Sequence, residues 1–397
     1  MSSRAGGAVT AETAGTTVRM IVTGGGTGGH VYPALTTVNA LRGMLAEQGR
    51  ELEVVWVGAR GKLEERVAEQ AGIEFLPVAT GKLRRAKNPL GMLTWTNIKD
   101  LARVPWGALQ SVSIVRKRKP DVVVGFGGYV AVPVSVAAWL CRRPLVIHEQ
   151  TVRLGLANRL LARMADSTAV SSPSTLGLLP GGARKRAEVV GNPIRAELFG
   201  GQPDRAIAAL GLDGFDRNLP TVYVTGGALG ARQINNLVTD DLPWLLKQAN
   251  VIHQCGATQL DQVRETADQL SPELKRRYHL TEFIGGEIPD VFALADLVVA
   301  RSGAGTISEL AALGKPAILI PLASAAGGEQ AFNARYLDEN GAAKALLGEV
   351  TPDDLRTAIA TLLDDPAARA RMAANARALG KPDAAQTLAT LILRTAQ

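Results

Sequence analysis

Short apolar runs rich in β-branched residues recur along this chain, each followed by a stretch with helical spacing, and that alternation leaves few folds open. Runs this apolar are buried on both faces, as parallel strands joined by crossover helices are. In the first half they are Val18 to Thr23, Leu52 to Val57, Ile73 to Val78, Asp121 to Phe126, Pro144 to His148, Ser167 to Val170 and Glu188 to Val190. A Gly/Pro/Asp-rich interval from Phe199 to Pro220 then holds one short helical segment, and the alternation restarts at Thr221. The second series is Thr221 to Thr225, Asn250 to Gln254, His279 to Phe283, Asp296 to Ala300, Pro316 to Pro321 and Ala343 to Leu347. With 397 residues to distribute, the expected fold is α/β: two doubly wound, Rossmann-like parallel-sheet domains facing each other across a cleft. The expected limits are a disordered tail at 1–17, one domain at 18–194 and a second at 195–379.

Several function classes drop out on composition. Cys141 and Cys255 stand far apart with no ligand spacing, which removes disulfide frameworks and zinc sites and leaves two buried thiols in a reducing cytosol. No apolar run approaches the length that crosses a bilayer, and Met1 to Thr17 lacks the apolar centre of a signal peptide. The expected location is cytoplasmic. The net charge of +7 is concentrated: between Gly81 and Lys119 the cations outnumber the single anion, Asp100, enough to leave the rest of the chain near neutral. Lys82, Arg84, Arg85 and Lys87 are interleaved with Leu93, Trp95 and Trp106, a combination suited to resting on anionic lipid headgroups. The same pattern is also that of a helix facing its own core. The charge alone would permit nucleic acid, but no recognised nucleic-acid motif accompanies it.

Four glycine turns close strands: Gly24 to His30, Gly125-Phe126-Gly127-Gly128-Tyr129, Gly226 to Ala231, and Arg301-Ser302-Gly303-Ala304-Gly305-Thr306. Each offers a bare backbone and a helix N-terminus to a phosphate or a sugar, and each is also explained by tight helix-strand packing. The first satisfies GxGxxG, yet the second strand ends Val57-Gly58-Ala59, without the acidic residue that holds a dinucleotide's ribose. There is no Walker A lysine, no GxSxG elbow and no DxD triplet. A nucleotide diphosphate here would be neutralised by helix N-termini and arginine, with neither cofactor nor metal expected.

Taken together, Gly25-Gly26-Thr27-Gly28-Gly29-His30, Gly127-Gly128-Tyr129, His148-Glu149-Gln150, Gly191-Asn192-Pro193-Ile194-Arg195, Gly226-Gly227 with Gly230-Ala231-Arg232, and Arg301-Ser302-Gly303-Ala304 continuing to Ser308-Glu309 resemble the MurG family of bacterial N-acetylglucosaminyltransferases. That resemblance implies the GT-B fold and transfer of GlcNAc from UDP-GlcNAc to the muramyl 4-hydroxyl of a lipid-pyrophosphoryl-MurNAc-peptide, lipid I to lipid II, in peptidoglycan synthesis. It implies a donor-binding C-terminal domain, an acceptor-binding N-terminal domain, a last helix within 380–397 that crosses back, and peripheral attachment to the inner face of the cell membrane. Donor contacts carried over by motif are Thr27, Gly28, Gly29, Thr151, Arg195, Ala228, Ile284, Ala304, Gly305, Thr306, Ile307, Ser308, Glu309 and Gln330. Among them Arg195 offers a fork to a phosphate or the sugar, and Glu309 can accept both ribose hydroxyls.

The acceptor hydroxyl must lose a proton as it attacks, and imidazole suits that near neutral pH. His30 is therefore the expected base or acceptor-orienting group, with His148 and Glu149 as runners-up and His253 and His279 structural. Three positions depart from the family's usual residues: Thr151 for Asn, Ala228 for Ser, and Glu329 before Gln330. They keep open a specialised-metabolism enzyme using another UDP-sugar or acceptor. A non-catalytic nucleotide-sugar or lipid-binding scaffold is the third reading.

Overall fold

The computed structural model describes residues 17–80, 95–325 and 328–397, with side chains from 105 onward in the helix Trp95–Arg118. Two parallel sheets carry the chain. The first contains β1 (Thr17–Thr23), β2 (Glu51–Gly58), β3 (Glu74–Pro77), β4 (Val122–Gly125), β5 (Leu145–Glu149), β6 (Ser167–Val170) and β7 (Ala187–Val189), in the order β3-β2-β1-β4-β5-β6-β7. The second contains β8 (Thr221–Thr225), β9 (Asn250–Gln254), β10 (Tyr278–Thr281), β11 (Leu297–Ala300), β12 (Ala317–Leu319) and β13 (Lys344–Ala345), in the order β10-β9-β8-β11-β12-β13.

Every apolar run read as a strand is one, and the central ones match the reading most closely. β4, β8 and β11 are buried along their whole length because helices cover both faces. The outer strands are shorter than the runs that announce them. β12 occupies three residues of the Pro316 to Pro321 run and β13 two of Ala343 to Leu347, since pairing thins toward a sheet edge. Cys255 is buried, whereas Cys141, expected to be buried, is partly exposed where the helix Ala131–Leu140 ends.

In both sheets the strand order reverses between the first and fourth strands of the series, β1 beside β4 and β8 beside β11. A crevice opens outside the carboxyl ends of strands at such a reversal. The first and second glycine turns follow β1 and β4, and the third and fourth follow β8 and β11, so each pair flanks a reversal point. The last helix, Ala384–Thr395, leaves the second sheet and packs Leu388, Ala389, Leu391 and Ile392 against Met20, Val22, Val38 and Leu41 of the first.

The lobes also touch elsewhere. Val152, just past β5, packs with the core of the second sheet, and its N–H donates to Asn333 Oδ1 at 3.4 Å. The Arg153 guanidinium lies 4.6 Å from the centre of the Phe332 ring, and Asn192 Nδ2 donates to the Ala304 carbonyl at 3.4 Å.

Candidate active site

Glycine backbone and helix N-termini build the site. The helices Gly28–Glu47, Arg232–Thr239 and Ala304–Leu313 start at Thr27, Ala231 and Gly303, and none of the three has a side-chain cap. The His30 N–H bonds the Thr27 carbonyl at 3.1 Å, while the other first-turn N–H groups carry no side-chain cap and the helix dipole favours an anionic ligand there.

His30 stands where the first two turns meet. Thr27 Oγ1 lies 3.0 Å from its Nδ1, and a Cβ placed on Gly127 would meet Cδ2 and Nε2 of the ring. Burial lowers its pKa below the ordinary imidazole value, opposed in part by the Gly25 backbone, which favours the charged ring. At neutral pH the ring is therefore a neutral base.

His148 has a different environment. It is fully buried, its Nε2 shares a hydrogen bond with the Gly191 carbonyl at 2.8 Å, and Nδ1 lies 3.1 Å from Gln150 Nε2. Both nitrogens are used, and burial pushes the pKa to about 4. Glu149 beside it accepts from Thr151 N and Oγ1 on Oε1, and from Gly155 N and Asn158 Nδ2 on Oε2. Four donors occupy its four acceptor positions. This pair fixes the chain at the end of β5, through hydrogen bonds that a runner-up base would have to give up. His253 is also buried between partners, with Tyr278 Oη at 2.8 Å and Asn235 Oδ1 at 3.1 Å.

Across the gap, Glu309 Oε1 lies 3.8 Å from Arg195 Nη2. Burial raises the Glu309 pKa and the arginine partly offsets that rise. The two groups thus meet where the chain passes from one lobe to the other. Beside them a cavity of about 770 Å³ is lined from both lobes, by Tyr32, Leu35 and Thr36 on one side and Gly285, Gly286 and Ile288 on the other, with Arg195 at its edge. That space accommodates a small-molecule ligand of nucleotide size.

The remaining sequence-chosen residues divide by what they touch. Thr27, Gly28 and Gly29 form the first turn, and Ala228 is exposed at the third. Ala304, Gly305 and Thr306 form the partly exposed first turn of their helix. Ile307 is buried in the core, and Ser308 Oγ donates to the Ala304 carbonyl at 2.8 Å; both line a small cavity of about 50 Å³ with Gln150 and Val152. Ile284 is buried with its N–H donating to Gln254 Oε1 at 3.0 Å, which leaves its carbonyl for a ligand. Gln330 Oε1 accepts from the Leu322 N–H at 2.9 Å and its carbonyl accepts from Ser302 Oγ. Thr151 Oγ1 lies within hydrogen-bond reach of both Glu149 Oε1 and the Arg153 carbonyl, and its single proton goes to one of the two at a time. Glu329 lies close enough to Glu149 for the two carboxylates to repel, which adds to burial in raising the Glu329 pKa. Among the described residues no group of three or more His, Cys, Asp or Glu converges.

One group escaped the sequence reading. Glu64, on the helix Leu63–Gln70, is fully buried, and its carboxylate accepts from the N–H of Gly26 at 3.2 Å and of Ala59 at 3.3 Å. The acid missing at the end of β2 arrives from the following helix and grips the first glycine turn from below.

Lys82, Arg84, Arg85, Lys87 and Leu93 lie outside the described residues, as does the Trp95 side chain. Trp106 and Leu109 are exposed on the helix Trp95–Arg118, which packs against the helix Ala131–Leu140, where Trp139 and Leu140 are also exposed. Among the described residues no helix is long and apolar enough to cross a membrane.

The N-terminal domain of glycosyltransferase family 28 matches residues 20–170, and the family's C-terminal domain matches residues 221–388. A protein of Treponema denticola is 36% identical over 347 residues, covering 84% of this chain and 85% of its own. It is named UDP-N-acetylglucosamine--N-acetylmuramyl-(pentapeptide) pyrophosphoryl-undecaprenol N-acetylglucosamine transferase. The chain belongs to glycosyltransferase family 28. Another member with the same name, from Halorhodospira halophila, is 38% identical over 93% of this chain and 96% of its own. The crystal structure of Acinetobacter baumannii MurG superposes with a TM-score of 0.71 at 27% identity, covering 95% of this chain and 99% of that one. The family 28 fold extends to more distant proteins. A UDP-GlcNAc 2-epimerase from Neisseria meningitidis, solved with UDP-GlcNAc, shares the architecture with a TM-score of 0.61 at 15% identity over 95% of this chain and all of that one.

Proposed function

We propose that this family 28 glycosyltransferase moves GlcNAc from UDP-GlcNAc to the muramyl 4-hydroxyl of a lipid-linked pyrophosphoryl-MurNAc-peptide, with inversion and without a metal ion. The observation that carries this reading is the 36% identity with a transferase of that name over most of both chains, joined to a structure in which the helix that carries His30 contacts the helix that carries Glu309, the partner of Arg195.

In this reading the donor lies against the second lobe, which we take as residues 195–379, and the acceptor against residues 18–194 with the returning helix of 380–397. Glu309 accepts the ribose hydroxyls, and the Ile284 carbonyl accepts from the uracil N3–H. The N-terminus of the helix Ala304–Leu313, the third glycine turn at Ala228 and Arg195 hold the pyrophosphate. Thr27 shares the Nδ1 proton of His30, so the Nε2 lone pair takes the proton of the attacking hydroxyl. Attack on the face opposite UDP makes a β-linked product. Negative charge that grows on departing UDP meets N–H groups already aimed at it, so little reorganisation is needed.

The acceptor's lipid brings the enzyme to an anionic membrane surface. The exposed Trp106, Leu109, Trp139 and Leu140 support that placement. Their apolar side chains enter the headgroup layer while the cations stay above it.

A second reading keeps the chemistry and changes the donor sugar. Ala228 favours it, because it cannot give a phosphate the hydrogen bond a serine would give. The deciding experiment is mass spectrometry of the product formed from UDP-GlcNAc and a short-chain lipid I analogue in EDTA. A product heavier by one N-acetylhexosamine is expected. No transfer, transfer only after divalent metal is restored, or preference for another UDP-sugar would overturn the first reading.

A further inference from the structure

Gln254 ends β9, the strand between β8 and β10, and its side chain links the third glycine turn, after β8, to the segment that reaches Ile284 after β10. It is buried, and both ends of its amide are engaged. Nε2 donates to the Gly227 carbonyl at 3.0 Å and to Thr225 Oγ1 at 3.3 Å. Oε1 accepts from the Ile284 N–H at 3.0 Å and from the Tyr223 hydroxyl at 3.4 Å. The two main-chain partners settle which way the amide points, because turned over it would set its NH2 against an N–H and its oxygen against a carbonyl. The backbone below repeats the link. On one side the Cys255 N–H donates to the Thr281 carbonyl at 3.0 Å and the Gly256 N–H to the Glu282 carbonyl at 3.1 Å. On the other, a Cβ on Gly230 would come within 1.9 Å of the Cys255 carbonyl oxygen, so only glycine lets the third turn rest there. The two loops are thus built on residues 254–256 and stand two strand spacings apart, about 10 Å. That is comparable to the reach from base to pyrophosphate in an extended nucleoside diphosphate.

We propose that Gln254 is a positioning residue for the nucleotide donor: acting through Gly227 and Ile284, it sets the distance between the main-chain groups that take the pyrophosphate and those that take uracil. A primary amide suits this work because it donates at one end and accepts at the other, so one rigid plane joins a carbonyl on one loop to an N–H on the other. It also governs charge. With the Gly230 N–H on it as well, at 3.0 Å, the Gly227 carbonyl has both lone pairs engaged and presents no bare negative oxygen to an incoming phosphate. Gln254 takes this part only if uracil and pyrophosphate lie as proposed above, whichever sugar UDP carries.

Full-length wild type, Gln254→Leu and Gln254→Glu are compared at about pH 8, well above the ordinary carboxylate range, by calorimetry with UDP and by ligand-observed nuclear magnetic resonance with uridine. Gln254→Leu releases both loops and is expected to weaken UDP by about 10- to 100-fold, with the donor KM rising in step and kcat changing by less than about threefold. Gln254→Glu keeps an acceptor for Ile284 and removes the donor to Gly227. Uridine is therefore expected to bind it as it binds wild type, while UDP weakens by about tenfold or more. A folded variant with a lowered melting temperature and wild-type UDP affinity makes Gln254 merely structural and overturns the proposal, as does a loss confined to kcat. Should Gln254→Leu fail to fold, the isosteric Gln254→Glu decides: equal losses for uridine and UDP, or no loss of either, overturn the two-ended link. Wild type that binds neither uridine nor UDP removes the placement of the nucleotide and the proposal with it. Wild type that binds both, matched by its variants, removes only the part given to Gln254.

Discussion

His30, in the first turn of the helix that follows β1, and His148, near the end of β5, belong to the same lobe, and their surroundings divide two jobs that imidazole can do. Around His148 burial is complete, Gly191 and Gln150 occupy both ring nitrogens, and the pKa falls to about 4. Around His30 the ring is half-buried and tied at Nδ1, and glycine keeps the other edge bare. Burial alone lowers both pKa values, so the shift does not tell them apart. What tells them apart is that both His148 nitrogens are held by hydrogen bonds, whereas only glycine borders the Nε2 edge of His30.

The largest expected effect breaks the comparison most directly. His30→Ala should lower kcat by about 10²- to 10⁴-fold, the span of a lost general base, with little change in melting temperature. His148→Ala should do the reverse, costing about 1 to 3 kcal/mol of stability by leaving Gly191 and Gln150 without a partner, with less loss of kcat per folded molecule. Equal kinetic losses in the two variants would remove the distinction.

In the second lobe, Glu309→Ala should raise the donor KM by about 10- to 100-fold, as expected for hydrogen bonds to a charged group, and leave the pH profile in place. A change confined to kcat would instead put Glu309 near the reacting atoms.

The pH dependence sharpens the contrast between the histidines. A histidine whose folded pKa lies below its unfolded value binds fewer protons when folded, so stability is complete above about pH 6.5 and is lost as the pH falls toward the folded value. For His148 the window runs from about 6.5 to about 4, at about 1.4 kcal/mol per unit. Chemical denaturation across that window should show a shallower slope in His148→Gln than in wild type. Activity should fall as His30 charges, at a pH below the ordinary imidazole range because burial disfavours the charged ring. The smallest effect belongs to Ala228→Ser, where one added neutral hydrogen bond should tighten UDP-GlcNAc by about two- to tenfold in a thermal-shift titration.

Much of this was written locally in the sequence. β-Branched runs gave the strands because burial on both faces leaves little choice of residue, and glycine marked the turns because only a bare backbone fits there. His30, Arg195 and Glu309 could be picked out because they adjoin those turns. The saturation of Glu149 could not, since its four donors come from Thr151, Gly155 and Asn158 folded back around it. Glu64 was hidden for a similar reason: nothing in Leu63-Glu64-Glu65 shows which glutamate turns inward. Val152 and Arg153, just past β5, reach the other lobe at Asn333 and Phe332, a contact between residues far apart in the chain that no local pattern announces.

The polypeptide passes between the sheets twice, once after β7 and once before the helix Ala384–Thr395, and the two passages touch. Gly191, at φ +87°, lies so close to Lys381 and Ala384 that any side chain there would force them apart. Two strands of covalent chain laid side by side act as the spine of a book. A doubled crossing of that kind resists sliding and twisting, so the motion to be expected as a sugar nucleotide enters and its product leaves is a swing about that line.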